Sequence, residues 1–311
     1  MDNKKQQTKN KQRSPARFPA LIADLHSPYG PWQMAYSVDA LRRAWQPIRA
    51  NKGGSGSDGQ TVAQFEADLE SNLERLHREL ISGHYQPQPV KQILVPKASA
   101  NWRPLTLWTI RDRVAQRATY NYLAPVFDRQ FLPCSFGYRP GLSTQDAAEA
   151  IYTARKQGAH WVLDADIEDC FGQMRNNIVL KQLSRWRVPR PVQDLVERWL
   201  HTKIGNAWRP EQVAAGTSQG SALSPLLCNL YLHGFDKGMQ QPGLTLVRYA
   251  DDFVILAKRQ ASVRWAQMWA AANLRRVGLQ MNPHKTRLTH FGEGFQFVGW
   301  FFVGEEMYQL K

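Results

Sequence analysis

The chain has 311 residues, enough to bury a large core in one domain or two. It carries 40 Lys and Arg against 26 Asp and Glu, a net charge of +14, which favours a polyanionic partner, most simply nucleic acid, over an anionic membrane surface. Hydrophobic content is an ordinary 43%, and no apolar run approaches the roughly 18 residues of a membrane span, so no membrane association is expected. The N-terminus shows no apolar signal region. Cys134, Cys170 and Cys228 lack metal-ligand spacing and read as buried thiols of a cytoplasmic protein in a reducing compartment.

Residues 1–35 are expected to form a basic, partly disordered arm, suited either to a phosphate backbone or simply to solubility. From Tyr36 the pattern turns helical, with Leu41, Trp45 and Ile48 on one face and Ser37 or Asp39 as cap. GGSGSDG at 53–59 lacks the lysine ending and the preceding strand of a nucleotide loop. Thr61 to Ile81 reads as one amphipathic helix with Phe65, Leu69, Leu73, Leu76 and Leu80 inward. Val90–Val95 and Leu105–Trp108 read as a strand pair around a loop with Lys97 and Arg103, followed by Arg111 and Arg113. Four cations there suit a triphosphate or a nucleic-acid backbone, or form a solvated basic hairpin.

Arg113 to Asp128 is helical. FLPCSFGYRPGLST at 131–144 sets Phe131, Phe136, Tyr138 and Arg139 among glycines and prolines, either open for stacking on bases or packed as a compact loop. Gln145–Gln157 is a helix. Trp161–Leu163 starts a strand that ends at Asp164 and Asp166, which alternation puts on one side with Ile167 opposite. Asn177–His201 is mainly helical, and 214–236 reads as a glycine-serine loop, with Gln219 and Gly220, feeding an apolar helix whose entry suits phosphates and bases. LTLVRYADDFVILA at 244–257 reads as a buried hairpin with Asp251 and Asp252 at its turn. By itself that turn is either a solvated Asx turn or a cation site. A strand ending in carboxylates beside an aspartate-tipped hairpin is what two-metal phosphoryl transfer needs, with hard oxygen ligands that favour magnesium. Ala261–Val277 reads as a helix with Trp265, Met268, Trp269, Ala272 and Leu274 toward the core. A turn with Lys285, a strand over Arg287–Phe291 and an aromatic hairpin from Phe295 to Phe302 close the chain.

VPKASANWRPL, TIRDR, SFGYRPG, LDADIEDCF, GTSQGSALSPLLCNLYL, YADDFVIL, LQMNPHKT and FQFVGW follow one another in an order that resembles bacterial reverse transcriptases of the group II intron type. The resemblance implies an α+β right-hand polymerase with an antiparallel palm sheet packed on helices. Fingers would occupy 36–155 and the palm 156–311, with a C-terminal primer-grip hairpin and no recognisable thumb. It assigns metal binding to Asp166, Asp251 and Asp252 and to the carbonyl of Ile167, for two magnesium ions with manganese as a substitute. Lys97, Arg103, Arg111, Phe171, Gln219 and Gly220 would bind the nucleotide, with Phe171 as a gate against the ribose 2′-hydroxyl. Lys285 would give a proton to pyrophosphate. Arg113, Tyr138, Arg139, Phe297 and Trp300 would contact nucleic acid. The implied reaction adds dNTPs to a DNA or RNA primer on an RNA template. Cys170 and Gly172 stand where the family more often has Phe and Asp. The expected setting is a domesticated enzyme of antiphage defence or CRISPR association, using a dedicated non-coding RNA and a partner protein or self-association in place of the thumb. Part of a mobile intron protein, a non-catalytic RNA-binding relative and an RNA polymerase are the alternatives.

Overall fold

The computed structural model describes residues 28–96, 102–206, 209–213 and 220–310. After a short 3-10 turn at Trp32–Tyr36, helix α1 (Val38–Asn51) starts where the Ser37 side chain accepts from the Ala40 N–H. The expected single helix over 61–81 is two, α2 (Val62–Ala67) and α3 (Leu69–Ser82). The break at Asp68 is stabilised from inside, because the buried Asn72 amide donates to the Phe65 carbonyl at 3.1 Å. Leu69, at the first turn of α3, is consequently half-buried, whereas Phe65, Leu73, Leu76 and Leu80 are in the core.

Strands β1 (Lys91–Pro96) and β2 (Trp102–Leu107) pair antiparallel, and α4 (Ile110–Asp128) follows. Its residues Ile110, Val114, Ala115, Ala118, Leu123, Ala124, Val126 and Phe127 belong to the same core as α1 and α3. Helix α5 (Thr144–Lys156) leads to β3 (Trp161–Asp166). Next come α6 (Cys170–Gln173), α7 (Asn176–Arg185), α8 (Arg190–Leu200) and the strand pair β4 (Lys203–Asn206) and β5 (Arg209–Val213). The apolar α9 (Ser224–Gly238) precedes β6 (Leu244–Tyr249), β7 (Asp252–Ala257) and α10 (Gln260–Arg276). Strand β8 (Arg287–His290) and the meander β9 (Phe295–Phe297), β10 (Trp300–Val303) and β11 (Glu306–Gln309) follow; the last strand was outside the sequence-based expectation.

The central sheet is antiparallel with strand order β6-β7-β3-β8. Its strands read as apolar runs because both faces are covered. Along β7, Phe253, Ile255 and Ala257 face a core shared with α9 and α10, while Val254 and Leu256 face a second core. That second core holds Ala147, Ala148, Ile151 and Ala154 of α5 with Phe291, Phe295 and Phe302. Helix α5 therefore packs on the sheet, although the expected fingers ended only at 155.

Helix α10 buries Leu274 as expected and holds Trp269 half-buried against the core, but Trp265 and Met268 do not face inward. Val263, Ala266, Ala270 and Leu274 are buried, whereas Trp265 and Met268 are 43% and 67% exposed. Alanines at 266 and 270 let the helix axis approach the sheet more closely than tryptophans would, and side-chain size decides between the two faces. Trp265 stacks on Trp269, whose indole N–H donates to the Gly238 carbonyl at 2.8 Å.

Candidate active site

Strand register builds the site. Asp166 ends β3 directly opposite Asp252, the first residue of β7. Side chains alternate across a strand, so Asp164, Asp166 and Asp252 share the sheet face whose apolar part is Val162, Val254 and Leu256. Asp251 sits in the turn between β6 and β7, after Ala250 at φ 60°. Its carbonyl accepts the Ile167 N–H at 3.1 Å, tying the turn to the end of β3, while the Ile167 side chain is buried in the helix-side core. The segment after α10 closes the other side. The Asn282 N–H donates to the Asp166 carbonyl at 2.7 Å, and Lys285 Nζ reaches Asp166 Oδ2 at 3.0 Å. Asp164 is paired separately, with Arg287 Nε at 2.9 Å.

Three carboxylates this close repel one another. The Asp252 carboxyl is pushed up to about 7, first by burial and then by the charges of Asp251 and Asp166, with a hydrogen bond to Asp166 adding to it. Asp251 is raised too, chiefly by burial. The Lys285 ammonium is raised by its hydrogen bond to Asp166. Such a cluster is satisfied by protons, by a cation or by both. Its donors are hard oxygens, the chemistry that magnesium or manganese selects. Here Lys285 and the hydrogen bond between Asp166 and Asp252 compensate the charge, and among the described residues no three His, Cys, Asp or Glu side chains close on a common point. A divalent ion would replace those two interactions.

Phe171 lies in the first turn of α6, half-buried against the helix-side core. Gly220 has φ 116°, and a Cβ there would stand 2.2 Å from the Thr106 carbonyl oxygen. The start of the 220–223 segment is thus pressed onto β2, and Ser221 Oγ donates to the buried Gln116 Oε1 at 3.0 Å. Lys97 and Gln219 lie outside the described residues, and Arg103 stands in β2 opposite Val95. Arg111 and Arg113 are engaged within the protein. Arg111 Nη2 meets Glu79 Oε2 at 2.5 Å, and Arg113 donates to the Gly54 carbonyl in the glycine-rich loop.

Residues 95–302 match the family model described as reverse transcriptase (RNA-dependent DNA polymerase), which takes in both strands of carboxylates and Lys285. The chain belongs to the reverse transcriptase family. It is 27% identical over 285 residues to the Escherichia coli protein YkfC, covering 78% of this chain and 74% of that protein. It is 30% identical over 199 residues to the group II intron-encoded protein LtrA of Lactococcus lactis, covering 64% of this chain and 33% of LtrA, so it spans about a third of that relative's length. The telomerase of Candida tropicalis shares the fold, with a TM-score of 0.55 at 14% identity over 77% of this chain and 48% of that one.

In this reverse transcriptase the 131–144 segment is packed. Phe131 and Phe136 are buried, and Tyr138 alone of its aromatics is open, 45% exposed. The Tyr138 hydroxyl is pushed up to about 12, by burial and then by the charge of Asp251. Arg139 does not project toward a nucleic acid. Its Nε donates to Asp128 Oδ1 at 2.6 Å and its other nitrogens to the carbonyls of Leu132, Ser135 and Asp128, so it clamps its own loop. Phe297 is likewise turned inward, 3% exposed in the aromatic core, because β9 alternates with Gln296 outward; Trp300 is half-buried. Sequence reasoning missed two features. Cys170 and Cys228, 58 positions apart, bring their sulfurs within 3.8 Å beneath the site. Arg248, Asp236 and Asn229 form a buried polar hub. The available signal for the hub was an arginine inside the otherwise apolar strand LTLVRY.

Proposed function

We propose that this chain polymerises DNA on an RNA template, joining dNTPs to a primer 3′-hydroxyl at Asp166, Asp251 and Asp252. The observation that carries the reading is the register that sets Asp166 opposite Asp252, with Asp251 in the adjoining turn. These carboxylates, with the Ile167 carbonyl, would hold two magnesium ions. When bound, the ions would favour the primer alkoxide and stabilise charge on the leaving pyrophosphate. Lys285, 3.0 Å from Asp166, would donate a proton to that pyrophosphate once its carboxylate partner is taken by a cation. Phe171, in the first turn of α6, would fill the space under the sugar, and Gly220 lets its own main chain lie against β2 where a Cβ would collide.

The test is primer extension on an RNA template. Asp251→Asn and Asp166→Ala should each abolish extension while the melting temperature and primer–template affinity stay near those of the parent. Extension that survives either change would remove the carboxylates from the chemistry. For the setting we propose a dedicated template RNA, in antiphage defence or beside a CRISPR system; sequencing the nucleic acid that co-purifies before and after phage challenge reads it. An unselected mixture of cellular RNA in both samples would count against a dedicated template.

A further inference from the structure

Arg248 lies in β6, two residues ahead of Ala250, and is fully buried. A guanidinium carries five N–H donors in a rigid fork. Five hydrogen bonds leave this one. Nε donates to Asp236 Oδ1 at 2.7 Å, and Nη2 to Asp236 Oδ2 at 2.6 Å and Ser135 Oγ at 2.7 Å. Nη1 donates to Asn229 Oδ1 at 2.9 Å and to the Ala250 carbonyl at 2.8 Å. Asp236 is fully buried as well. A desolvated ion pair of this kind is weak evidence for stability, since two apolar side chains of similar volume often serve a core equally well. Its use therefore lies in what it holds.

It holds the turn that carries Asp251. Ala250, the residue before Asp251, has φ 60°, a conformation that a side chain with a Cβ seldom adopts unless its surroundings impose it. The Arg248 bond to its carbonyl supplies that constraint. Asn229 extends the link, because its Nδ2 donates to the Gly137 carbonyl at 2.8 Å. Gly137 in turn lies against the turn, where a Cβ would come 2.3 Å from the Ala250 nitrogen. The main chains are joined on the same side, Phe136 N–H to the Arg248 carbonyl and Arg248 N–H to the Cys134 carbonyl, both at 2.8 Å. The catalytic turn and the loop bearing Tyr138 thus form one body with the guanidinium at its hub.

We propose that Arg248, fixed by Asp236, is a positioning residue that sets the direction of the Asp251 carboxylate through the Ala250 carbonyl and the Asn229–Gly137 link. This rests on the metal-binding reading of the carboxylates given above. A lysine cannot replace it, because one ammonium nitrogen cannot span Asp236, Ser135, Asn229 and Ala250 together.

The experiment compares the full-length parent with Asp251→Asn, with the double variant Arg248→Met/Asp236→Leu, and with Asn229→Ala. Mn2+ binding is titrated by electron paramagnetic resonance without nucleic acid, alongside thermal melting, primer–template affinity and kcat. Both charges leave together in the double variant, so no buried charge is left unpaired and it should still fold, with a melting temperature lowered by the loss of the donor to Asn229 and the Ala250 carbonyl. Its Mn2+ affinity should fall about 10-fold or more, and its kcat about 100-fold, with primer–template affinity unchanged. Asn229→Ala should move Mn2+ affinity and kcat in the same direction, by about 10-fold. A folded double variant with parental Mn2+ affinity and kcat would overturn the proposal and leave the pair as core filling. If the double variant does not fold, Asn229→Ala decides: parental values overturn the proposal, and a joint loss at parental melting temperature supports it. Parental Mn2+ binding that Asp251→Asn leaves intact is a different failure, which takes the metal reading down and this inference with it.

Discussion

At the scale of single residues, burial and charge make predictions that a sequence match does not. The Asp252 carboxyl stands at about 7 in the folded protein, against an ordinary value near 3.8. Between those values the folded state holds a proton that the unfolded chain has released. Stability from this group is thus full in acid and is lost as pH rises toward 7. In EDTA, the parent's melting temperature should fall more from pH 5 to pH 8 than that of Asp252→Asn, as thermal scans would show; parallel profiles would contradict the assignment. His233 works in the opposite direction. Burial lowers it from 6.5 to about 4, so its contribution is present above 6.5 and is lost as pH drops through 4. Its Nδ1 is buried beside Phe131 and Trp186 with no hydrogen-bond partner among the described residues. His233→Phe should therefore gain stability over the parent in mild acid, read by urea melts at pH 5. Phe171→Ala should let ribonucleotides into the product, measured as the ratio of rNTP to dNTP incorporation; an unchanged ratio would clear Phe171 of gating.

Elements add constraints that pair residues distant in the chain. Position 137 must be glycine, because a Cβ would meet the backbone of Ala250, which cannot yield as a side-chain tip can. Gly137→Ala should cost about 2 kcal/mol or more in urea unfolding and reduce extension along with stability. Helix α10 offers a contrast between its faces. Ala270→Leu forces its axis off the sheet and should destabilise by about 1–3 kcal/mol, whereas Met268→Gln on the open face should stay within about 0.5 kcal/mol. The reverse outcome would mean that the helix sits with its tryptophans inward. Periodicity alone could not choose between these faces, since apolar residues line both; the deciding quantity was how closely the helix approaches β3 and β7.

At the scale of the whole molecule, a surplus of +14 predicts that binding to a primer–template would be salt-dependent. Four or more neutralised phosphates imply an affinity loss of at least about 100-fold between about 50 and 200 mM salt, readable by fluorescence anisotropy. A flat response would assign the surplus to solubility instead. The described arginines of the N-terminal half are less available than their number suggests. Arg111 is paired with Glu79, Arg113 is docked on Gly54 and Arg139 holds its own loop. Both cores meet across the central sheet, with α5 on one face and α9 and α10 on the other. The carboxylates emerge at the end of that sheet, where its apolar part stops.

The reverse transcriptase family, the antiparallel hairpin and the carboxylates at its turn are all legible in the linear order of residues. Those rest on local signals: a period of two along strands, β-branched and aromatic runs, and blocks in a fixed order. Tertiary structure decided which neighbours each polar group has. It turned Phe297 and Arg139 inward, broke the helix at Asp68, left Trp265 and Met268 of α10 exposed and brought Cys170 to Cys228. It also placed Arg248 at the centre of a buried hub behind Asp251. The physical reason is the same in each case. A side chain's desolvation and its hydrogen bonds are set by atoms far away in the chain, and no local pattern encodes those distances.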